Sequence, residues 1–229
     1  MEIQLLGQPL RGGADGGKAA LAEGVTYKNV DKLMIAVPGK EFSILATEVT
    51  QELYESVMDK NPSYFKEEKN LPVEQVSWYD AVGFCNRLSK KAGLAPAYSI
   101  DGSSVEWNRN ANGYRLPTVE EWKYAAKGGQ EFKYSGSDNL DEVGWYDKNS
   151  EEKTHPVAQK NSNVYGLYDM SGNVWEWCWD SDPGSSKPRY CGGSWIHRAD
   201  ICVVDYKNWN YASITSYDVG FRIVRSTGK

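Results

Sequence analysis

Apolar and polar positions follow three different patterns along this chain. Near the start, KLMIAVP and EFSILATEV concentrate apolar side chains in short runs, which predicts two strands. The segment VTQELYESVMDKNPSYF then predicts a short helix that ends at the Asn61-Pro62 turn, because a residue before proline is pushed out of the α region. A second helix is predicted after Ser77, with Asp80 three residues on and Val82, Cys85 and Leu88 at helical spacing before Gly93. A third follows RLP. Thr118 and Glu121 form a T-x-x-E capping box, Trp122, Ala125 and Ala126 make its apolar face, and Gly128-Gly129 ends it.

From about residue 130 the pattern changes to short aromatic segments broken by Gly, Asn, Asp and Ser. No window there sustains a helix, so loop and strand are predicted. Trp175, Trp177 and Trp179 alternate and share one face of an extended segment, where filling a core is their commoner use. Residues 1–30 are Gly- and Ala-rich with little period and read as a poorly packed lead-in to a single domain at 31–229.

Composition sharpens this picture. The 9 Trp, 15 Tyr and 22 Gly exceed an average share and point to an irregular, aromatic-filled structure. With 26 basic and 31 acidic side chains and no run of Lys or Arg, a nucleic-acid partner is not expected. The longest apolar runs are too short to cross a bilayer, and no basic-then-apolar leader opens the chain. A membrane is therefore expected only through a lipid anchor outside it. Cys85, Cys178, Cys191 and Cys202 lack C-x-x-C spacing and read as buried thiols.

Two segments carry candidate chemistry. In GLYDMSGNVWEWCWD, Asp169 and Glu176 lie on either side of a Ser171-Gly172-Asn173 turn. Such a turn suits calcium, which takes carboxylate and backbone oxygens together, but acids that simply cap the turn's N–H groups are commoner. In GGSWIHRADICVVDYKNWNYASITSYDVGFR, Cys202, Val204 and Tyr206 alternate as the inner face of a strand, leaving Val203, Asp205 and Lys207 outside. Val219, Phe221 and Ile223 read as a second buried set. Between them Trp209, Tyr211, Ile214, Ser216 and Tyr217 have no period and are expected on a loop surface, where clustered apolar side chains mark an interaction site.

The ordered motifs PVEQVSWYDAVGFCNRLS, RLPTVEEWKYAA, GLYDMSGNVWEWCWD, GGSW and GFR together resemble the formylglycine-generating enzyme family, or sulfatase-modifying factor domain, over residues 31 to 226. The resemblance implies an α+β, C-type-lectin-like fold with two main helices, a small antiparallel sheet and much irregular loop. It implies a structural calcium site at Asp169, Gly172, Val174 and Glu176. In the enzymes, two cysteines separated by four residues follow GGS and bind copper. Here His197 stands at the first position and Cys202 at the second, so no copper and no catalysis are expected. A copper-dependent oxidoreductase working through Cys202 is the alternative reading. The iron sulfoxide synthases, a related branch, need three histidine ligands, and this sequence has only His155 and His197.

The same segment is similar to the C-type-lectin-fold variable proteins of diversity-generating retroelements, in which asparagine codons between GGSW and GFR are mutagenised. Ile196, His197, Ile201, Trp209, Tyr211, Ile214 and Tyr217 look like replaced asparagines. With Arg198, Val203, Asp205, Asn210, Ser216 and Asp218 they form the expected diversified surface, at 196–218. The resemblance implies a non-catalytic protein, displayed at the cell surface as a lipoprotein, that recognises a protein or cell-surface ligand.

Overall fold

The computed structural model describes residues 24–227. Its first hairpin pairs β1 (Met34–Ala36) with β2 (Phe42–Leu45), where the two apolar runs predict strands. The other edge of β2 is taken by the last strand of the chain, β10 (Val224–Ser226), with Val224 opposite Ile44. Beyond β10 lies β5 (Tyr114–Arg115), completing a sheet of order β1-β2-β10-β5. The two ends of the domain are thus hydrogen-bonded to each other. Between them, β3 (Tyr98–Asp101) and β4 (Ser104–Trp107) form a separate hairpin.

The packed chain begins before residue 31. Val25 and Val30 are buried in the main core, so the lead-in expected to loosen residues up to 30 is corrected for 24–30; its residues 1–23 lie outside the described residues.

Helix α1 (Gln51–Met58) is capped by the Thr50 hydroxyl, which accepts from Leu53 N at 3.2 Å. It ends earlier than the Asn61-Pro62 turn predicts, because Asp59 enters the left-handed region at φ 59°. Helix α2 (Trp78–Lys91) and helix α3 (Val119–Lys127) both carry the capping boxes their sequences predict, Ser77 with Asp80 and Thr118 with Glu121. Helix α4 (Leu140–Val143) is a single turn, capped by Asn139, in the region where no helix is predicted; four residues give too few periods to detect.

The apolar face of α2 enters the larger core, where Phe84 stacks on Tyr54 at 5.4 Å and meets Phe221 edge-on at 5.2 Å. The second sheet, of order β8-β7-β6-β9, lies between this core and a smaller one around Trp122. Its members are β6 (Trp175–Ser181), β7 (Pro188–Cys191), β8 (Lys207–Trp209) and β9 (Val219–Gly220). One pair in this otherwise antiparallel sheet, β6 with β9, is parallel. Trp175 and Trp177 pack in the larger core, while Cys178 and Cys191 pack in the smaller one. The alternating tryptophans are therefore core, and so are the residues between them. All four cysteines are buried free thiols.

Candidate recognition surface

The segment after β7 turns sharply because it has no side chain to accommodate. At Gly193, with φ 74°, a Cβ would lie 2.5 Å from the Cys202 Sγ and 2.8 Å from its Cα. Gly193→Ala is expected to lower stability by about 1–3 kcal/mol, through forced φ and overpacking. Thermal unfolding measures it; an unchanged midpoint would show that the close approach gives way without cost.

Ser194, next in line, is fully buried and acts as a hub. Its hydroxyl donates to Asp218 Oδ2 at 3.1 Å and lies 2.7 Å from His197 Nδ1. A hydroxyl has one proton, so with Asp218 taking it, the Nδ1–H tautomer of His197 donates to Ser194. The serine, not the histidine, stands in the middle. A hydrolytic triad needs the histidine between acid and nucleophile, so this group is a structural clasp. Asp218 also accepts from the Ser216 hydroxyl, and its own carbonyl accepts from Trp175 N at 2.8 Å. Asp218 is buried, and its place among the ligand-contacting residues is corrected.

Residues 202–206 are not a strand. A short 3-10 turn, Ala199–Ile201, leads into bends and a turn that bury Cys202 and Val204 without strand pairing. Val204 N donates to Lys133 O at 3.1 Å, and Val203 packs beside the cluster of Tyr134, Leu140, Val143 and Tyr146 instead of standing outside. Ile201 packs against the main core, Asp205 pairs with Lys123 at 2.5 Å, and Arg198 pairs with Asp200 at 3.0 Å. Trp209 is not on a loop, since β8 adds to the edge of β7 with Trp209 opposite Arg189. Sequence periodicity missed this strand because it is three residues long.

Beyond β8 the backbone is stitched to the scaffold: Asn210 N donates to Pro188 O, Ala212 O accepts from Trp78 N, and Ser216 O accepts from Gln75 N. These bonds use main-chain atoms, which any residue supplies. They leave the large apolar side chains out of the stitching. Ile196 (45% exposed), Trp209 (42%), Tyr211 (59%), Ile214 (37%) and Tyr217 (42%) all face outward. The Lys187 ammonium, absent from the sequence expectation, lies 4.1 Å from the ring centres of both Trp209 and Tyr211. Its signal in the sequence is nil, because only the β7–β8 pairing brings it there.

The Ser171-Gly172-Asn173 turn does different work from that expected of it. Glu176 is fully buried, and its carboxylate accepts Arg222 Nε at 2.6 Å, Arg222 Nη2 at 2.8 Å and Trp122 Nε1 at 2.7 Å. Asp169 Oδ2 accepts from Ala158 N, and its Oδ1 is buried without a hydrogen-bond partner. Glu48, also buried, accepts from Val174 N and from the Asn173 amide. The calcium set of Asp169, Gly172, Val174 and Glu176 does not fit this geometry, since the Glu176 oxygens are filled by a guanidinium and an indole. Among the described residues no group of three His, Cys, Asp or Glu side chains is placed to hold a metal. Burial pushes Asp169 up to about 6 and Glu48 well above the usual carboxylate range.

Cys202 is fully buried, its Sγ donates to the Ser194 carbonyl at 3.9 Å, and burial pushes its thiol up to about 12. A thiol so held is nearly all protonated at neutral pH. His197, lowered by burial despite Asp218, is turned towards Ser194.

Beside Tyr217 stand Tyr64 and Phe65, whose N–H groups donate to Glu74 Oε1 at 2.5 and 2.9 Å. Glu74 is buried, its Oε2 has no partner, and burial raises it from 4.5 to about 7. The folded state then binds a proton more tightly than the unfolded chain, so this group's contribution is greatest below about pH 4.5 and falls as pH rises through 7. Glu74→Gln is expected to flatten that part of the stability profile, measured as the difference between wild-type and variant unfolding midpoints from pH 4 to 8. A difference that does not vary with pH would contradict the shift.

A cleft of about 740 Å³ lies away from this surface, by α3. Within it Arg115 is paired with Glu121, and Lys40 lies over the Tyr124 ring.

A first sheet that joins the two ends of the domain, a second sheet between two cores with α2 packed in one and α3 in the other, and a return between Gly192 and Phe221 that buries its frame and exposes its aromatics define a C-type-lectin-like α+β domain with a built surface. The chain belongs to the sulfatase-modifying factor enzyme 1-like domain family, whose model matches residues 15–227. It is similar to the Treponema denticola variable protein 1, with 34% identity, a TM-score of 0.75, and coverage of 85% of this chain and 91% of that one. Among curated proteins it is 41% identical to chaperone protein LppX of Paenibacillus barcinonensis over 81% of this chain and 80% of that protein. It is 31% identical to the inactive Cα-formylglycine-generating enzyme 2 of Mus musculus, over 73% of this chain and 53% of that protein.

Proposed function

We propose that this protein is a non-catalytic binding protein that presents a diversified surface on a rigid lectin-like scaffold and recognises a protein or cell-surface ligand, at the cell surface. One observation carries the reading: Ile196, Trp209, Tyr211, Ile214 and Tyr217 are exposed on a return whose backbone is held by main-chain bonds and by the buried Ser194–Asp218 clasp. Those five side chains lie outside the main-chain bonds and the clasp, so they can be exchanged without removing what holds the loop, which is what a diversified surface requires. Aromatic rings give large contact area at little entropic cost, and the Asn210 amide beside them adds hydrogen-bonding capacity. The likeness to a treponemal variable protein and to a protein named a chaperone supports a macromolecular ligand. The burial and high pKa of Cys202 count against the copper-oxidoreductase reading.

The reading predicts, in the DNA beside the gene, a reverse transcriptase and a near-repeat of the stretch encoding residues 192–222 that differs from it only at adenines. Neither being present would remove the diversification from the proposal.

A further inference from the structure

Four aromatic rings next to this surface close on themselves. Tyr64 meets Phe65 at 5.1 Å and 85°, Phe65 meets Trp195 at 5.7 Å and 86°, Trp195 meets Tyr217 at 5.6 Å and 39°, and Tyr217 returns to Tyr64 at 6.4 Å and 51°. Two of these pairs are near-perpendicular and two are tilted, so the rings do not form a stack. They line a cleft of about 550 Å³ together with Ile196 and Glu152.

Both sides of the box are fixed by the backbone. Trp195 N donates to Asn173 O at 2.8 Å, and its indole N–H is used on Tyr217 O at 3.2 Å. Tyr64 and Phe65 are held by Glu74 through their own N–H groups. The charge in the lining itself is acidic. Glu152 is the charged residue of the lining, and the buried Glu74 that holds Tyr64 and Phe65, with its unpartnered Oε2, has both Asp218 and Lys66 in its field. Aromatic faces carry negative potential and attract organic cations, above all quaternary ammonium groups, and carboxylates at the same site add to that attraction.

We propose that this cleft is a binding site for a methylated ammonium cation of the trimethylammonium class. The inference deepens the recognition reading and rests on it for Ile196 and Tyr217, while Tyr64, Phe65 and Trp195 lie outside the diversified stretch. The cleft thus gives a constant contact beside a changeable one.

The test titrates the protein with choline and with its neutral isostere 3,3-dimethylbutan-1-ol, followed by calorimetry and by Trp fluorescence. Choline is expected to bind saturably, the isostere about tenfold or more weakly, and Tyr64→Ala to lose about tenfold in choline affinity, as befits removal of one cation-facing ring. Tyr64 is 71% exposed, so its replacement leaves the fold intact, which the melting temperature checks. Glu152→Gln is expected to weaken choline and leave the isostere unchanged. Sedimentation with phosphatidylcholine vesicles, lost on adding free choline, would assign the cation to a lipid headgroup; choline binding without sedimentation would assign it to a soluble ligand. No saturable choline binding, or equal binding of the isostere, overturns the inference. If a macromolecular ligand is still lost in Trp209→Ala, the recognition reading survives that failure.

Discussion

Replacing Arg222 by methionine is expected to destabilise the protein by about 3–5 kcal/mol, because removing one partner of a buried ion pair leaves the other charge buried and uncompensated. For a domain of this size that is a fall of roughly 6 to 20 °C in the unfolding midpoint. Arg222 is fully buried and every N–H group on its guanidinium side has work to do: Nε and Nη2 fork onto Glu176, Nη2 also donates to Tyr168 O at 2.8 Å, and Nη1 donates to Leu45 O at 3.1 Å and Ala46 O at 3.3 Å. It therefore ties the end of β2, the turn before β6 and β6 itself. Three acidic groups lie in its field, those of Glu48, Asp169 and Glu176, and Glu176 loses its direct counter-charge. Lysine in its place keeps the charge but not the fork, so Arg222→Lys should recover only part of the loss. A change below about 1 kcal/mol for Arg222→Met would show that the pair is dispensable, as some buried ion pairs are.

The second large effect is on binding. Trp209→Ala and Tyr211→Ala are each expected to weaken a macromolecular ligand by about 2 kcal/mol or more, roughly 30-fold, as for aromatic anchors at the centre of an interface. Their stability cost should stay within about 1 kcal/mol, since both rings are exposed and lose chiefly their contact with the Lys187 ammonium, an interaction of that order at a surface. Surface plasmon resonance and thermal unfolding on the same preparations separate the two quantities. A large drop in midpoint with both changes would make these rings scaffold. Unchanged affinity with both would remove them from the ligand contact.

Much of the frame could be read from local pattern. The caps of α2 and α3 follow from side chains three residues apart, the Trp175 and Trp177 burial from alternation, and the exposure of Trp209, Tyr211, Ile214 and Tyr217 from the want of any period around them. The errors share a cause. Cys202 and Val204 are buried, as alternation suggests, but a bent loop folded over Gly193 buries them instead of a strand. Asp218 looked like one polar residue among exposed neighbours, and Glu176 like a metal ligand; each has partners far along the chain, at Ser194 and at Arg222.

What the chain determines by itself is whatever depends on neighbours within a few residues: capping boxes, apolar faces, glycine turns, and a segment too irregular to be core. The tertiary structure alone decides which side chains are left over. Lys187 reaches Trp209 only because β8 pairs with β7, the four-ring box forms only where the turn after α1 meets Trp195, and Glu176 is neutralised by a residue 46 positions away. Contacts of that range are set by how sheets and cores pack, and period and spacing carry no record of them.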